Sequence, residues 1–154
     1  MKKFLFSLIV FSLFLGVTAI GQCAEPVSFE NGDFTIDGIT VNDNIKDIIA
    51  KKGQPSVSQT PDKNSAVYQY AGRYTLLADG DGNVWYIATT SLATARNVKP
   101  GMSKQQMMDA YGDKYEYSER DKRFNYEYLG ETTKLVFSTN SSGVILQIDC
   151  IKYK

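Results

Sequence analysis

Residues 98–114, VKPGMSKQQMMDAYGDK, decide how the chain is built once they are set over residues 39–55, ITVNDNIKDIIAKKGQP. Val98 then falls on Ile39, Ser103 on Asn44, Met107-Met108 on Ile48-Ile49, and Gly112 on Gly53. Alone, the later stretch looks like a glycine loop feeding a helix, and such loops can cradle a phosphate. The pairing gives the glycines a simpler task. Ser103 is a good N-cap and Gln106 stands where a capping box needs it, while Met102 and Met107 flank the cap as a hydrophobic staple. Gly112 supplies the C-terminal cap. In the earlier stretch Asn44 caps, Ile45, Ile48 and Ile49 form the apolar stripe, Gly53 stops the helix and Pro55 prevents its restart. Neither a GxGxxG nor a GK[ST] pattern is present, so the glycines read as helix punctuation rather than a phosphate loop.

The correspondence runs on. YQYAG at 68–72 falls on YEYLG at 126–130, and GNVWYI at 82–87 falls on GVILQI at 143–148 with a small gap. After each helix the alternation of apolar and polar residues predicts strands: 66–70, 73–78 and 84–90 in the first half, 124–129, 132–138 and 144–151 in the second. The turns between them, DGDGN and TNSSG, are hairpin chemistry. A further strand is expected at 33–36 and a weaker one at 115–118. The expected fold class is α+β: two tandem helix-plus-antiparallel-meander repeats, with the helices packed on one face of an antiparallel sheet. Residues 25–93 form the first repeat and 94–154 the second. Along the last strand Leu146, Ile148 and Cys150 share a face, matched by Trp85 and Ile87, and this face is expected to meet the helices. Tyr86, Gln147 and Asp149 take the other. Tyr68, Tyr70, Tyr126 and Tyr128 serve either as core packing or as a binding surface, since tyrosine suits both.

Residues 1–24 read as a signal peptide. Met1-Lys2-Lys3 is a basic start, residues 4–20 are almost wholly apolar, and polar residues and Pro26 follow. Cleavage after Gly21 and cleavage after Ala24 compete. Lipidation at Cys23 is the lesser alternative, because Gln22 is not the small residue a lipobox wants before its cysteine. The mature chain is expected outside the cytoplasm, secreted or periplasmic, with no stable membrane span after signal removal. If Cys23 survives processing it can pair with Cys150, the only other cysteine; otherwise Cys150 is a lone thiol at the end of an apolar strand. The chain has 17 basic and 17 acidic side chains. Losing Lys2 and Lys3 leaves 15 against 17, a net charge of −2, so no basic field exists to attract nucleic acid.

Catalytic chemistry finds little material. There is no histidine, which removes the commonest general base and every histidine metal ligand. Glu116, Glu119, Asp121 and Glu127 are interleaved with Lys114, Arg120, Lys122 and Arg123, the pattern of a solvated hairpin end. The expectation is no enzyme and no cofactor. Asp79, Asp81 and Asn83 match the first oxygen ligands of a calcium loop, but Val84 stands where its glycine belongs and Thr90 where its bidentate glutamate belongs. They remain a weak calcium candidate against the plain reading of a turn. Tyr86, Tyr115 and Tyr117 are the protein-binding candidates, because aromatic side chains are enriched at interfaces.

The pattern x-x-G-M-S-x-x-x-h-x-x-x-Y-G (h apolar) followed by tyrosine-bearing strands and a glycine turn resembles the tandem-repeat proteins of the beta-lactamase inhibitor protein-like (BLIP-like) fold. It also resembles the small envelope lipoproteins of the outer-membrane assembly (SmpA/OmlA) type. Residues 94–112, TARNVKPGMSKQQMMDAYG, look like the matching region of uncharacterised secreted bacterial proteins. The resemblance implies an exported, non-catalytic domain that binds another protein or scaffolds an envelope complex. Its partner would be an unknown envelope or secreted protein. Inhibition of a beta-lactamase is not carried over, since neither half has a residue set assignable to it. A small-ligand or weakly calcium-binding secreted protein is the alternative function.

Overall fold

The computed structural model describes residues 29–154. The signal peptide, both cleavage positions and Cys23 lie outside the described residues. A 3-10 turn at Asn31–Asp33 precedes helix α1 (Ile45–Lys52) and strands β1 (Val57–Asp62), β2 (Ser65–Tyr70), β3 (Tyr74–Ala78) and β4 (Val84–Thr89). Helix α2 (Lys104–Tyr111) and strands β5 (Glu116–Arg120), β6 (Arg123–Leu129), β7 (Thr133–Thr139) and β8 (Ile145–Lys152) follow.

The expectation of two tandem helix-plus-meander repeats is overturned. All eight strands form one antiparallel sheet in the order β1-β2-β3-β4-β8-β7-β6-β5. The architecture is mostly sheet, with two helices of eight residues each. The physical reason is edge pairing. Had each meander closed on itself, β4 and β8 would each present a free ladder of backbone donors and acceptors. They instead pair with each other, placing Ile87 opposite Cys150 and Thr89 opposite Ile148. The edges are left to β1 and β5, whose residues are almost all exposed. Residues 33–36 do not form the expected strand; Ile36 makes only isolated bridges to Ile39 and Thr94.

Both helices are held by their ends. Asn44 accepts from Lys46 N, and Ser103 and Gln106 form the reciprocal capping box. The first helical amides are also used: Ile45 N donates to Gly82 O at 2.8 Å and Lys104 N to Gly143 O at 2.7 Å. At the far ends, Gly53 and Gly112 (φ 87° and 83°) donate to Ile49 O and Met108 O. Their own carbonyls accept the hydroxyls of Tyr70, at 3.0 Å, and Tyr128, at 2.8 Å. Tyr70 and Tyr128 are therefore core residues with a polar task, anchoring helix ends to the sheet.

Ile45 and Ile48 of α1 and Met107 and Tyr111 of α2 enter one core with Leu76, Ile87, Leu135, Phe137, Ile148 and Cys150. Arg96 ties the N-terminal turn onto it. Its guanidinium grips Asp33 through Nε and Nη2 at 2.7 and 2.6 Å, donates to Ala110 O, and lies over the rings of Phe29 and Tyr111.

Candidate functional site

Residues opposite each other across an antiparallel ladder share a face, so the registers sort the sheet into two faces. One carries Tyr70, Tyr74, Leu76, Ile87, Cys150, Leu135, Phe137 and Tyr126; every strand residue of the core cluster belongs to it. The other carries Leu77, Tyr86, Ile151 and Lys134 in one row, and Gln69, Thr75, Ala88, Asp149, Val136, Glu127 and Glu116 in the next. A third row holds Gln147, Ser138, Asn125 and Ser118. The side-chain hydrogen bonds of this second face join strand residues, across strands or, for Gln147 and Asp149, along β8, and none of them comes from a helix. Among the described residues it is an open face.

Its centre is built. Tyr86 Oη donates to Asp149 Oδ1 at 2.8 Å and Gln147 Nε2 donates to the same oxygen at 2.7 Å. Ser138 Oγ donates to Asn125 Oδ1 at 2.7 Å, and Lys134 is paired with Glu127 at 2.8 Å. Asp149 is only 8% exposed although it sits on the uncovered side. That burial pushes its carboxyl above the ordinary carboxylate range, against the lowering effect of its two donors. Burial and the neighbouring carboxylate push the Tyr86 phenol up as well. A cleft of about 320 Å³ opens beside this group, lined among others by Gln69, Thr75, Ala88 and Gln147. Thr75 and Ala88 are two of the small side chains that line it, and Ala88 is the cross-strand partner of Asp149. The arrangement can hold a hydrogen-bond donor at a fixed carboxylate and a slim chain along the floor.

The residues singled out from the sequence are not brought together. Tyr86 lies on the open face, half-buried. Tyr115 and Tyr117 lie on the helix-bearing side near the β5 edge. Tyr115 packs edge-on against Tyr126 and faces Lys104, and Tyr117 stacks on Phe124 while half its surface stays exposed. Trp85 and Leu146 do not join the core face. Each is skipped by the strand register, Leu77 pairing Tyr86 while Ala78 pairs Val84, and Ser138 pairing Gln147 while Thr139 pairs Ile145. Both are bulged and exposed. Asp79 uses Oδ1 on the amides of Asp81 and Asn83 and Oδ2 on Asn83 Nδ2, the bonds of a turn. Asn140 makes the matching pair to Ser142 and Val144. Asn83 Oδ1 faces Asn44 Nδ2 at 3.5 Å, and no group of three metal-binding side chains is assembled among the described residues. Cys150 is a buried free thiol whose Sγ donates to Phe34 O at 3.2 Å, and burial pushes its pKa up to about 12.

Sequence reasoning passed over Asp149, Gln147, Ser138 and Asn125 as a site. Strand parity does assign Asp149 and Gln147 to the face of Tyr86. Parity says nothing of burial on an uncovered face, and that is what makes Asp149 unusual.

An open-faced antiparallel sheet carrying two short helices on its other side is the class that fold and site define. The sequence profile of the SA0570-like family matches residues 1–143, and the chain belongs to that family. No curated protein matches the sequence. The fold is shared with a DUF4309 family protein, YjgB, from Bacillus subtilis: TM-score 0.54, 15% identity, 76% of this chain and 84% of that one covered. It is also shared with an extracellular protein containing an SCP domain from Bacillus anthracis, at TM-score 0.56 and 9% identity, covering 84% of this chain and 49% of the other. A cysteine-rich secretory protein from Staphylococcus aureus matches at TM-score 0.53 and 11% identity over 77% of this chain and 46% of its own length. The matched region thus spans about half of each of the last two proteins.

Proposed function

We propose that the chain is an exported, non-catalytic binding module that meets a secreted or envelope protein through the open face of its sheet. The observation that carries this reading is the buried, uncovered centre of that face, where Tyr86 and Gln147 fix Asp149 beside a cleft. A bare sheet face solvated for its own sake would be lined by mobile, exposed polar side chains. This one keeps Val136, Ser138 and Asp149 buried. The edges are poorer candidates. Pro61 interrupts β1, and Glu116, Glu119 and Arg120 charge β5, both devices that discourage strand addition.

Export is supported by the basic-then-apolar N-terminal pattern. The two fold relatives described as extracellular and secretory agree with it. The resemblance of the helix motif to BLIP-like proteins and small envelope lipoproteins points the same way. A small-molecule reading has one observation in its favour, the cleft of about 320 Å³, which lies at the low end of ligand-site volumes.

The test places a photo-crosslinking amino acid at Gln69 or Thr75 on the open face, and at Lys46 or Asp109 on the helices, in cells producing the full chain. Discrete protein adducts from the open-face positions alone are expected. Adducts confined to the helix positions, or none from any position, would refute the reading.

A further inference from the structure

The open face holds one carboxylate that breaks the pattern of the rest. Asp33 is gripped by Arg96, Asp37 by Lys52 and Arg73, and Glu127 by Lys134. Each of these is more exposed than Asp149, the only charged side chain counted as buried among the described residues. Yet Asp149 makes no salt bridge. Both its donors, the Tyr86 hydroxyl and the Gln147 amide, are neutral and use the same oxygen, Oδ1. Oδ2 accepts no hydrogen bond from a described residue, and among the described residues the sole buried side-chain polar atom without a partner is Tyr74 Oη. Oδ2 therefore reaches solvent. Buried charges are ordinarily paired; here one oxygen is locked by neutral donors and the other is presented outward.

Resting on the binding-module reading above, we infer that Asp149 Oδ2 is the seat for a lysine or arginine side chain of the partner protein. The cation's aliphatic stem would lie along the floor made by Ala88 and Thr75, between the amides of Gln69 and Gln147. Two lining residues adjoin the carboxylate: Ala88 is the cross-strand neighbour of Asp149 and Gln147 donates to its Oδ1, so Asp149 stands at the margin of the cleft. The surrounding charges leave the place to an incoming cation. Arg73, which also lines the cleft, is committed to Asp37, Lys134 to Glu127, Arg123 on β6 acts on Asp149 less than burial does, and Tyr86 on β4 stays neutral. A neutral sugar hydroxyl could donate to Oδ2 but would leave the charge uncompensated.

The probe is the tripeptide Gly-Lys-Gly with blocked ends, titrated into the 15N-labelled full chain, with its N-acetyl-lysine counterpart as the uncharged match. Expected are saturable shifts at the side-chain amides of Gln147 and Gln69 and the backbone amides of Ala88 and Asp149. Binding should weaken at least about tenfold on acetylation, since a desolvated ion pair contributes more than the 1.4 kcal/mol that a factor of ten represents. Asp149→Asn should abolish it, Glu127→Gln should preserve it, and Ala88→Arg, which supplies an internal guanidinium to the cleft, should block it. Equal binding of the acetylated peptide, shifts centred elsewhere, or unchanged binding to Asp149→Asn would each overturn the inference. So would the same shifts from a neutral N-acetylglucosamine trimer. Open-face crosslinks that survive Asp149→Asn would sink this inference alone, whereas crosslinks only from the helices would remove the broader reading with it.

Discussion

Asp149→Asn is expected to make the protein more stable at neutral pH. The variant's amide oxygen still accepts from Tyr86 and Gln147, whose donors lie at 2.8 and 2.7 Å, and its amino group points where Oδ2 meets solvent. What changes is the charge. Turning two charge-assisted bonds into neutral ones loses about 1–2 kcal/mol. Relieving the desolvation of a carboxylate that keeps one open oxygen returns about 2–3 kcal/mol. Desolvation is the larger effect on this group, as the upward shift of its pKa records, so the net is a gain of about 1 kcal/mol. For a domain of this size that is a rise in melting temperature of about 4 °C. The linkage gives the pH signature. Because the folded-state pKa lies above the unfolded value, near 3.8, the penalty is absent below that value. It grows as pH rises through the folded pKa and is complete above it. Thermal melts of the native protein and the variant from about pH 4 to about pH 8 should therefore diverge as pH increases. A variant that is less stable at neutral pH, or a difference that does not change with pH, would refute the reasoning and remove the case that Asp149 is retained for binding at the expense of stability.

Two further pairs of variants test the frame around the site, each by urea unfolding. Gly82→Ala should be destabilised by about 2–3 kcal/mol, since φ is 85° and a Cβ there would meet Ile45 Cγ2 at 3.1 Å. Gly72→Ala has a comparable φ of 69° but nothing within 4 Å, so it should lose only about 1 kcal/mol; equal losses would mean that the α1 start is not seated on the turn before β4. Tyr70→Phe should lose about 1 kcal/mol, because its hydroxyl satisfies Gly53 O. Tyr74→Phe, whose Oη has no protein partner, should change stability by less than about 0.5 kcal/mol, and the reverse order would contradict the helix-end role assigned to Tyr70.

Parts of this structure were legible in the sequence because local rules govern them. The helix limits follow from Asn44, Gly53, Ser103 and Gly112, and the observed caps are those residues. The alternating runs at 66–70, 84–90, 124–129 and 132–138 lie within a residue or two of β2, β4, β6 and β7. What failed was everything decided at long range. Nothing in Val84–Thr89 or Ile145–Lys152 announces that these strands pair with each other rather than end two separate sheets. β1 went unread because VSQTPD is polar, exposed and interrupted by Pro61, so it has no buried face to leave a period in the sequence. Trp85 and Leu146 were assigned to the core because one extra residue in a bulge inverts the alternation that carries the assignment.

The failure at the site has the same origin, and it bears on how the site works. Asp149 follows Ile148 and precedes Cys150, both buried in the core, so its place on the opposite face follows from parity alone. Its burial does not, because no helix covers that face. Burial there comes from neighbours in the sheet: Tyr86 and Gln147 lean onto Oδ1, and Val136 and Ala88 stand on either side in the same row. Those neighbours arrive together only because β4 and β8 join. The pairing that the sequence did not announce is therefore the event that assembles the site, since Tyr86 comes from one half of the chain and Asp149 from the other. Two separate meanders would each carry half of it. A single continuous sheet makes the seam between the halves the place where, among the described residues, a tyrosine hydroxyl and a carboxylate meet on the open side.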